Sequence, residues 1–219
     1  MSSDSPRLIV FDLDGTLIDS RRDLADAANA LLVSEGAAPL SEERIGRMVG
    51  DGAATLVARA FEASGVERPA DALERFLALY DQRMLNHTRP YPGIPKVLEV
   101  LGLRSLLAVL TNKPLASTRR ILAGLGLARH FPDSAVVGGD GPFPRKPDPA
   151  GLVHLTTRAR VDASATLLVG DSIVDWRTAR AAATPICLAR YGFGYEGFPR
   201  EELVASDRLI DAPADLLAL

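Results

Sequence analysis

The sequence predicts an α/β fold, a parallel sheet covered by helices and interrupted by an all-helical insertion, on three observations. Short apolar runs alternate with amphipathic stretches, the pattern of a sheet with helical crossovers. Each run is almost continuously apolar rather than alternating with polar residues, as expected where both sheet faces are covered. The rhythm breaks once, for nearly a hundred residues after the first run, and that gap carries helical periodicity.

The runs expected as strands are Leu8–Phe11, Leu106–Leu110, Ala135–Val137, Thr166–Val169, Ile186–Leu188 and a short Arg208–Ile210. In the gap, Leu24, Ala28, Leu31 and Leu32 share one helical face. Leu56, Val57, Ala60 and Phe61 share a second, and Leu73, Phe76, Leu77, Tyr80 and Met84 a third. Ser41, followed by Glu42 and Glu43, marks a helix start. Arg89-Pro90-Tyr91-Pro92-Gly93 ends the helical stretch. The expected organisation is a Rossmann-like core of residues 1–17 and 90–219 with a helical cap at 18–89, joined by linkers near 16–21 and 86–92.

At 219 residues the chain has room for one core domain with a smaller insertion. Hydrophobic residues make up 47% and charged residues 24%, with a net charge of −3, so nothing draws it to nucleic acid or an anionic membrane. Met1–Arg7 is short and polar, unlike an export signal, and no stretch approaches the ~20 apolar residues that cross a bilayer. Cys187 is the single cysteine and lies in an apolar run, which reads as a buried inert thiol in a reducing compartment. A cytoplasmic protein is expected. Asn86-His87-Thr88 has the form of a glycosylation sequon and is read as chance.

The chemistry sits at strand ends. The first strand runs into Asp12-Leu13-Asp14-Gly15-Thr16, two carboxylates at the edge where open α/β sheets bind ligands. The second ends in Thr111-Asn112-Lys113. After the third comes Lys146-Pro147-Asp148-Pro149, and the fourth ends in Gly170-Asp171-Ser172 with Asp175 beyond. A helix beginning near Ser172 puts Asp171 and Asp175 about one turn apart on one side. Carboxylates, a hydroxyl, an amide and a lysine on one sheet edge suit a hard divalent cation together with a phosphate. Lys113 is open to two readings, a second phosphate contact or an ion-pair partner at the surface. His87, His130 and His154 are too widely spaced to pair as ligands, and Trp176 with the Leu73/Phe76/Leu77 stripe reads as packing.

These segments, in this order and spacing, resemble the four motifs of the haloacid dehalogenase superfamily of phosphohydrolases. The helical gap is similar to the cap that one subgroup carries between its first two motifs. Within the superfamily the likeness is closest to phosphoglycolate phosphatases. It rests on Thr111-Asn112-Lys113-Pro114, Gly138-Gly139-Asp140, Lys146-Pro147-Asp148-Pro149, Val169-Gly170-Asp171-Ser172, Tyr191-Gly192-Phe193-Gly194 and the cap loop Val49-Gly50-Asp51-Gly52-Ala53. The resemblance implies Asp12 as nucleophile and Asp14 as general acid and base. Mg²⁺ is expected on Asp12, the Asp14 main-chain carbonyl and Asp171, with Asp175 acting through water or steadying Asp171. Thr111, the Asn112 amide and Lys146 are expected on the phosphoryl oxygens. Two departures stand out: Val174 where the family usually has Asn, which bears on hydrogen bonding around the metal, and Ala183 where a helix-ending Gly is common, which implies either a different helix end or a strain of about 1 kcal/mol.

The expected substrate is a small phosphorylated metabolite, foremost 2-phosphoglycolate, handled by a monomer or homodimer. In the cap, Arg47 with the turn Gly50-Asp51-Gly52 offers a guanidinium and main-chain amides for a substrate carboxylate; the other reading is a solvated arginine and a helix end. Other readings on the same scaffold are a sugar-phosphate phosphatase, a phosphoglucomutase-like phosphotransferase and a carbon–halogen hydrolase. The last has no need of Asp14 or of clustered metal carboxylates. A scaffold module without activity is the reading from another class, and the full set of acidic residues with Lys146 weighs against it.

Overall fold

The computed structural model of the chain describes residues 6–218. Most of the polar stretch Met1–Arg7 therefore lies outside the described residues. Six strands form one parallel sheet: β1 (Leu8–Phe11), β4 (Leu106–Leu110), β5 (Val136–Val137), β6 (Thr166–Gly170), β7 (Ile186–Ala189) and β8 (Arg208–Ile210). Their order across the sheet is β5-β4-β1-β6-β7-β8. Each coincides with a run expected as a strand; β5 is one residue shorter because Ala135 closes a 3₁₀ turn.

The continuous apolar runs have the predicted cause. On one face Ile9, Phe11, Val109, Val169 and Cys187 pack beneath helices α5 (Ile94–Leu101) and α6 (Leu115–Gly124). On the other, Leu8, Val10, Leu110, Leu168 and Leu188 pack against α7 (Ala150–Ala159) and α8 (Ile173–Ala181). Successive residues point to opposite faces, so a strand covered twice has no room for polar alternation. Cys187 is fully buried, and burial pushes its thiol up to about 12, which keeps it an unreactive SH.

The central register positions the chemistry. Phe11 lies level with Val109 of β4 and with Val169 of β6. The residues just beyond these strands, Asp12, Thr111 and Asp171, consequently emerge along one edge. That edge is also where the chain switches direction across the sheet, leaving β1 toward β4 on one side and toward β6 on the other.

The long gap contains four helices, α1 (Arg21–Ser34), α2 (Glu42–Gly46), α3 (Ala53–Ser64) and α4 (Ala72–Asp81). Ser41 starts α2 by accepting the Arg44 N–H at 3.2 Å. The helical segment leaves and rejoins the core through a feature too short to read in a sequence. The two-residue strands β2 (Ile18–Asp19) and β3 (Arg89–Pro90) pair antiparallel at the expected linkers. Asp23 secures the return. Its wholly buried carboxylate accepts the His87 and Thr88 N–H groups at 3.0 and 2.8 Å and the Thr88 hydroxyl at 2.8 Å. Such donors offset the cost of burying the charge.

Ala183 follows the strained of the two courses its sequence position allows. α8 ends in a Schellman turn in which Thr184 N–H reaches Ala179 C=O at 2.9 Å and Ala183 N–H reaches Arg180 C=O at 3.1 Å. This places Ala183 at φ +50°, a left-handed conformation that costs a residue with a Cβ on the order of 1 kcal/mol. Ala183→Gly should therefore stabilise the protein by about 0.5–1 kcal/mol, after allowance for glycine's looser unfolded chain. In thermal melts this corresponds to a rise of about 1–3 °C in Tm; an unchanged or lower Tm would contradict the strain.

Candidate active site

At the carboxyl edge of the sheet, three buried carboxylates converge: Asp12, Asp171 and Asp175 each present an oxygen within 4.8 Å of the others. Gly15 allows the approach. It holds φ +87°, and a Cβ there would collide with the Asp171 carboxylate. From the far side Gly194 N–H donates to Asp171 at 2.7 Å, so the Tyr191-Gly192-Phe193-Gly194 turn closes the site; a Cβ on Gly192 would meet Asp171 as well.

Asp175 is fixed from two directions. Ser172 caps α8 and exchanges hydrogen bonds with it, the hydroxyl donating to Oδ2 at 2.6 Å and the main-chain N–H at 3.1 Å. Its Oδ1 takes the Lys146 ammonium at 2.5 Å, and the same ammonium lies 2.9 Å from Asp12. Asp175 thus steadies Lys146 rather than bonding directly to Asp171. Val174 is buried beside it and brings no polar side-chain atom to the cluster.

Three acids around one lysine leave negative charge uncompensated, and the electrostatics follow. Burial, only partly offset by Lys146, pushes Asp12 up to about 7, and the Asp175 charge pushes in the same direction. Asp171 is raised well above the usual carboxylate range, first by burial and then by Asp175 and Asp12. Burial works to neutralise Lys146, but the two aspartates outweigh it and hold the ammonium charged. A dry cluster of hard oxygens with surplus negative charge fits a divalent cation.

Asp14 lines the same cavity as Asp12. Its carboxylate accepts the Ser20 hydroxyl at 2.5 Å and pairs with Lys113 at 3.0 Å. Lys113 is buried, which makes it an interior ion-pair partner rather than a surface one. Its ammonium also donates to the Tyr80 hydroxyl at 3.0 Å and lies 4.5 Å from that ring's centroid. Burial opposes the Lys113 charge, and Asp14 and Tyr80 more than restore it.

Thr111 and Asn112 follow β4 as expected, and both are buried. The Thr111 hydroxyl accepts the Lys113 N–H at 3.2 Å. The Asn112 side chain has a structural part that the sequence does not disclose. Its Oδ1 takes the Lys146 N–H at 2.8 Å, and its amide donates to the Lys146 carbonyl at 3.0 Å and to the Gly50 carbonyl at 2.9 Å. One amide thereby ties the lysine loop to the helical segment. Ser20 and Tyr80 are site residues that the sequence does not reveal. Ser20 carries no signal beyond preceding a helix, and Tyr80 belongs to a stripe that reads as packing.

Asp12, Asp14, Thr111, Asn112 and Lys113 line a cavity whose remaining wall is largely helical. Its helical wall includes Leu24, Val49, Leu56, Phe76 and Leu77, together with Gly50 and Gly52. Arg47 and Asp51 are not among the lining residues. Arg47 faces Glu196 of the core at 3.7 Å, and Asp51 pairs with Arg59 at 2.6 Å. Both cations are therefore directed to carboxylates of the protein.

Residues 9–189 match the haloacid dehalogenase-like hydrolase family. The chain belongs to it. This hydrolase is 46% identical over 200 residues to the phosphoglycolate phosphatase of Rhodospirillum rubrum, covering 87% of this chain and 82% of that one. Identity to the phosphoglycolate phosphatase of Agrobacterium fabrum is 38% over 201 residues, covering 90% and 84% of the two chains. A crystal structure described as a predicted phosphoglycolate phosphatase from Haemophilus somnus superposes with a TM-score of 0.91 at 30% identity, covering 99% of each chain. Haloacid dehalogenase-like phosphatases generally use a divalent metal, in keeping with the carboxylate cluster of this member.

The raised Asp12 makes proton and cation competitors. In the metal-free protein Asp12 retains a proton at pH values where an ordinary carboxylate, near 3.8, has lost it, up to about 7. A cation must displace that proton, so affinity should climb with pH through this window. Calorimetric titration with Mg²⁺ at pH 6, in buffers of differing ionisation enthalpy, should register proton release, and affinity should be higher at pH 8. Equal affinity at both values, with no proton release, would contradict the raised carboxylates.

Proposed function

We propose that the chain is a Mg²⁺-dependent phosphatase that hydrolyses 2-phosphoglycolate to glycolate and phosphate through an aspartyl-phosphate intermediate. The observation carrying this reading is the pair Asp12 and Asp14 lining one cavity, joined to relatives named phosphoglycolate phosphatase.

Asp12 attacks phosphorus in line with the ester oxygen, forming an acyl phosphate as the ester P–O bond breaks. Asp14, held by Ser20 and Lys113, delivers a proton to the departing alkoxide. Asp14 then accepts a proton from water, whose oxygen attacks the aspartyl phosphate and releases phosphate with Asp12 restored. Thr111, the Asn112 main-chain amide and Lys146 take the phosphoryl oxygens, and Asp175 with Ser172 keeps the Lys146 ammonium at the nucleophile. Asp12, the Asp14 main-chain carbonyl and Asp171 would hold Mg²⁺, whose charge would lower the repulsion between anionic nucleophile and anionic ester.

In this reading residues 18–89 act as a cap over a core of 1–17 and 90–219. The cap excludes water through its apolar wall while the core supplies the chemistry. The Gly50–Gly52 turn contributes main-chain groups to the cavity, and Arg47 serves the cap–core contact through Glu196. The setting is cytoplasmic, consistent with a free buried thiol; among the described residues no helix is long and apolar enough to cross a membrane.

Asp12→Asn preserves volume and removes the nucleophile, so kcat for 2-phosphoglycolate should fall by at least ~1,000-fold with the melting transition retained. Wild-type protein quenched in acid during turnover should carry phosphate on Asp12, detectable by mass spectrometry and absent from the variant. A tenth of wild-type activity in Asp12→Asn would overturn the covalent mechanism, and a hexose phosphate exceeding 2-phosphoglycolate in kcat/KM would overturn the substrate.

A further inference from the structure

We propose that Lys113 is the receptor for the carboxylate of the leaving group and that Tyr80 is the residue that positions it. This assignment rests on the reading of 2-phosphoglycolate as substrate.

The cavity presents a sharp contrast in polarity. The side chains of its helical wall are largely Leu24, Val49, Leu56, Phe76 and Leu77, none of which carries a charge to meet an anion, and Gly50 and Gly52 add only main-chain groups. Among the described residues, Lys113 is the only cationic side chain lining it. The arginines nearest in the cap loop are committed elsewhere, Arg47 to Glu196 and Arg59 to Asp51. Lys146 is held between Asp12 and Asp175. In surroundings this apolar, a carboxylate without a cation would be strongly disfavoured, and one beside a cation gains more than it would in water.

Spacing agrees with charge. Lys113 Nζ is 3.0 Å from the Asp14 carboxylate, the group that meets the ester oxygen. In 2-phosphoglycolate the carboxylate carbon is only two covalent bonds from that oxygen. A receptor for so short an acid must therefore stand immediately beside the general acid, where Lys113 is, and not across the cap. An ammonium has three donors, and the protein engages two of them, with Asp14 and with the Tyr80 hydroxyl at 3.0 Å. The third is available for the substrate. Tyr80 belongs to α4 of the helical segment, and its ring flanks the ammonium at 4.5 Å from the centroid. The cap thereby fixes the position of a cation that the core supplies.

The test compares 2-phosphoglycolate with ethyl phosphate, which has a methyl group in place of the carboxylate. Steady-state kinetics on both esters would be measured for wild-type protein, Lys113→Met and Tyr80→Phe, with thermal melts to verify folding. Lys113→Met also alters the surroundings of Asp14, so the informative quantity is the ratio of kcat/KM between the two esters. The wild type should favour 2-phosphoglycolate. Lys113→Met should reduce that ratio by about 10- to 100-fold, the range for losing a hydrogen bond between charged groups, and chiefly through KM. Tyr80→Phe keeps the ring and loses the hydroxyl, and should reduce the ratio by about 3- to 10-fold, again in KM; this variant decides the matter should Lys113→Met fail to fold. A wild type indifferent between the esters would overturn the substrate reading and this inference with it. A wild type that favours 2-phosphoglycolate, with the ratio unaltered in the folded variants, would overturn the Lys113 assignment alone.

Discussion

Four carboxylates and two lysines crowd the carboxyl edge of the sheet, and the need to hold like charges together in a dry place governs the surrounding architecture. Asp12, Asp171 and Asp175 share one lysine, Lys146, and Asp14 has another, Lys113. Lone buried carboxylates would take up protons or destabilise the fold. Three of the four have donors from other pieces of chain, Ser20 for Asp14, Gly194 for Asp171 and Ser172 for Asp175, while Asp12 and Asp171 remain raised by burial. The remaining excess negative charge suits a divalent cation.

The same economy of contacts links helices to sheet. Asn112 reaches the Gly50 carbonyl with the side chain that also braces the lysine loop, and Lys113 reaches Tyr80 while pairing with Asp14. These neighbours on one strand end touch both the acidic groups and the helical roof.

The sheet is readable in the sequence because doubly covered strands must be continuously apolar. The acids are readable because each sits directly after such a run, two or four residues from its neighbour, where a strand end opens into the crevice. The helical insertion shows itself in three amphipathic faces. What escapes the sequence depends on distance across the fold. The β2–β3 pair has two residues per strand and no periodicity to detect. The buried Asp23 looks like any polar residue in a helix, and nothing local indicates that its partners lie at His87 and Thr88. Arg47 stands out as a cation beside glycines, yet Glu196, nearly 150 residues later, is where it points. Phe76 and Leu77 have the spacing of packing residues, and they also wall the cavity, a dual use that hydrophobic periodicity cannot separate. Ala183 is recognisable as a departure, but only the turn at φ +50° shows which of its two outcomes holds.

The β2–β3 ladder gives the molecule a modular character. Asp19 and Arg89 are neighbours across it, so from the sheet's standpoint the whole helical segment departs and returns at a single point. Lengthening, shortening or exchanging that segment alters a loop whose ends are already joined, and the entropy of closing a loop grows only slowly with its length. The β1-to-β4 crossover, the strand order and the acids at the strand ends can remain as they are. Such a joint is a natural grafting site: a different roof could be set on the same acidic floor, provided it brings its own partner for Lys113 and an acceptor for the Asn112 amide.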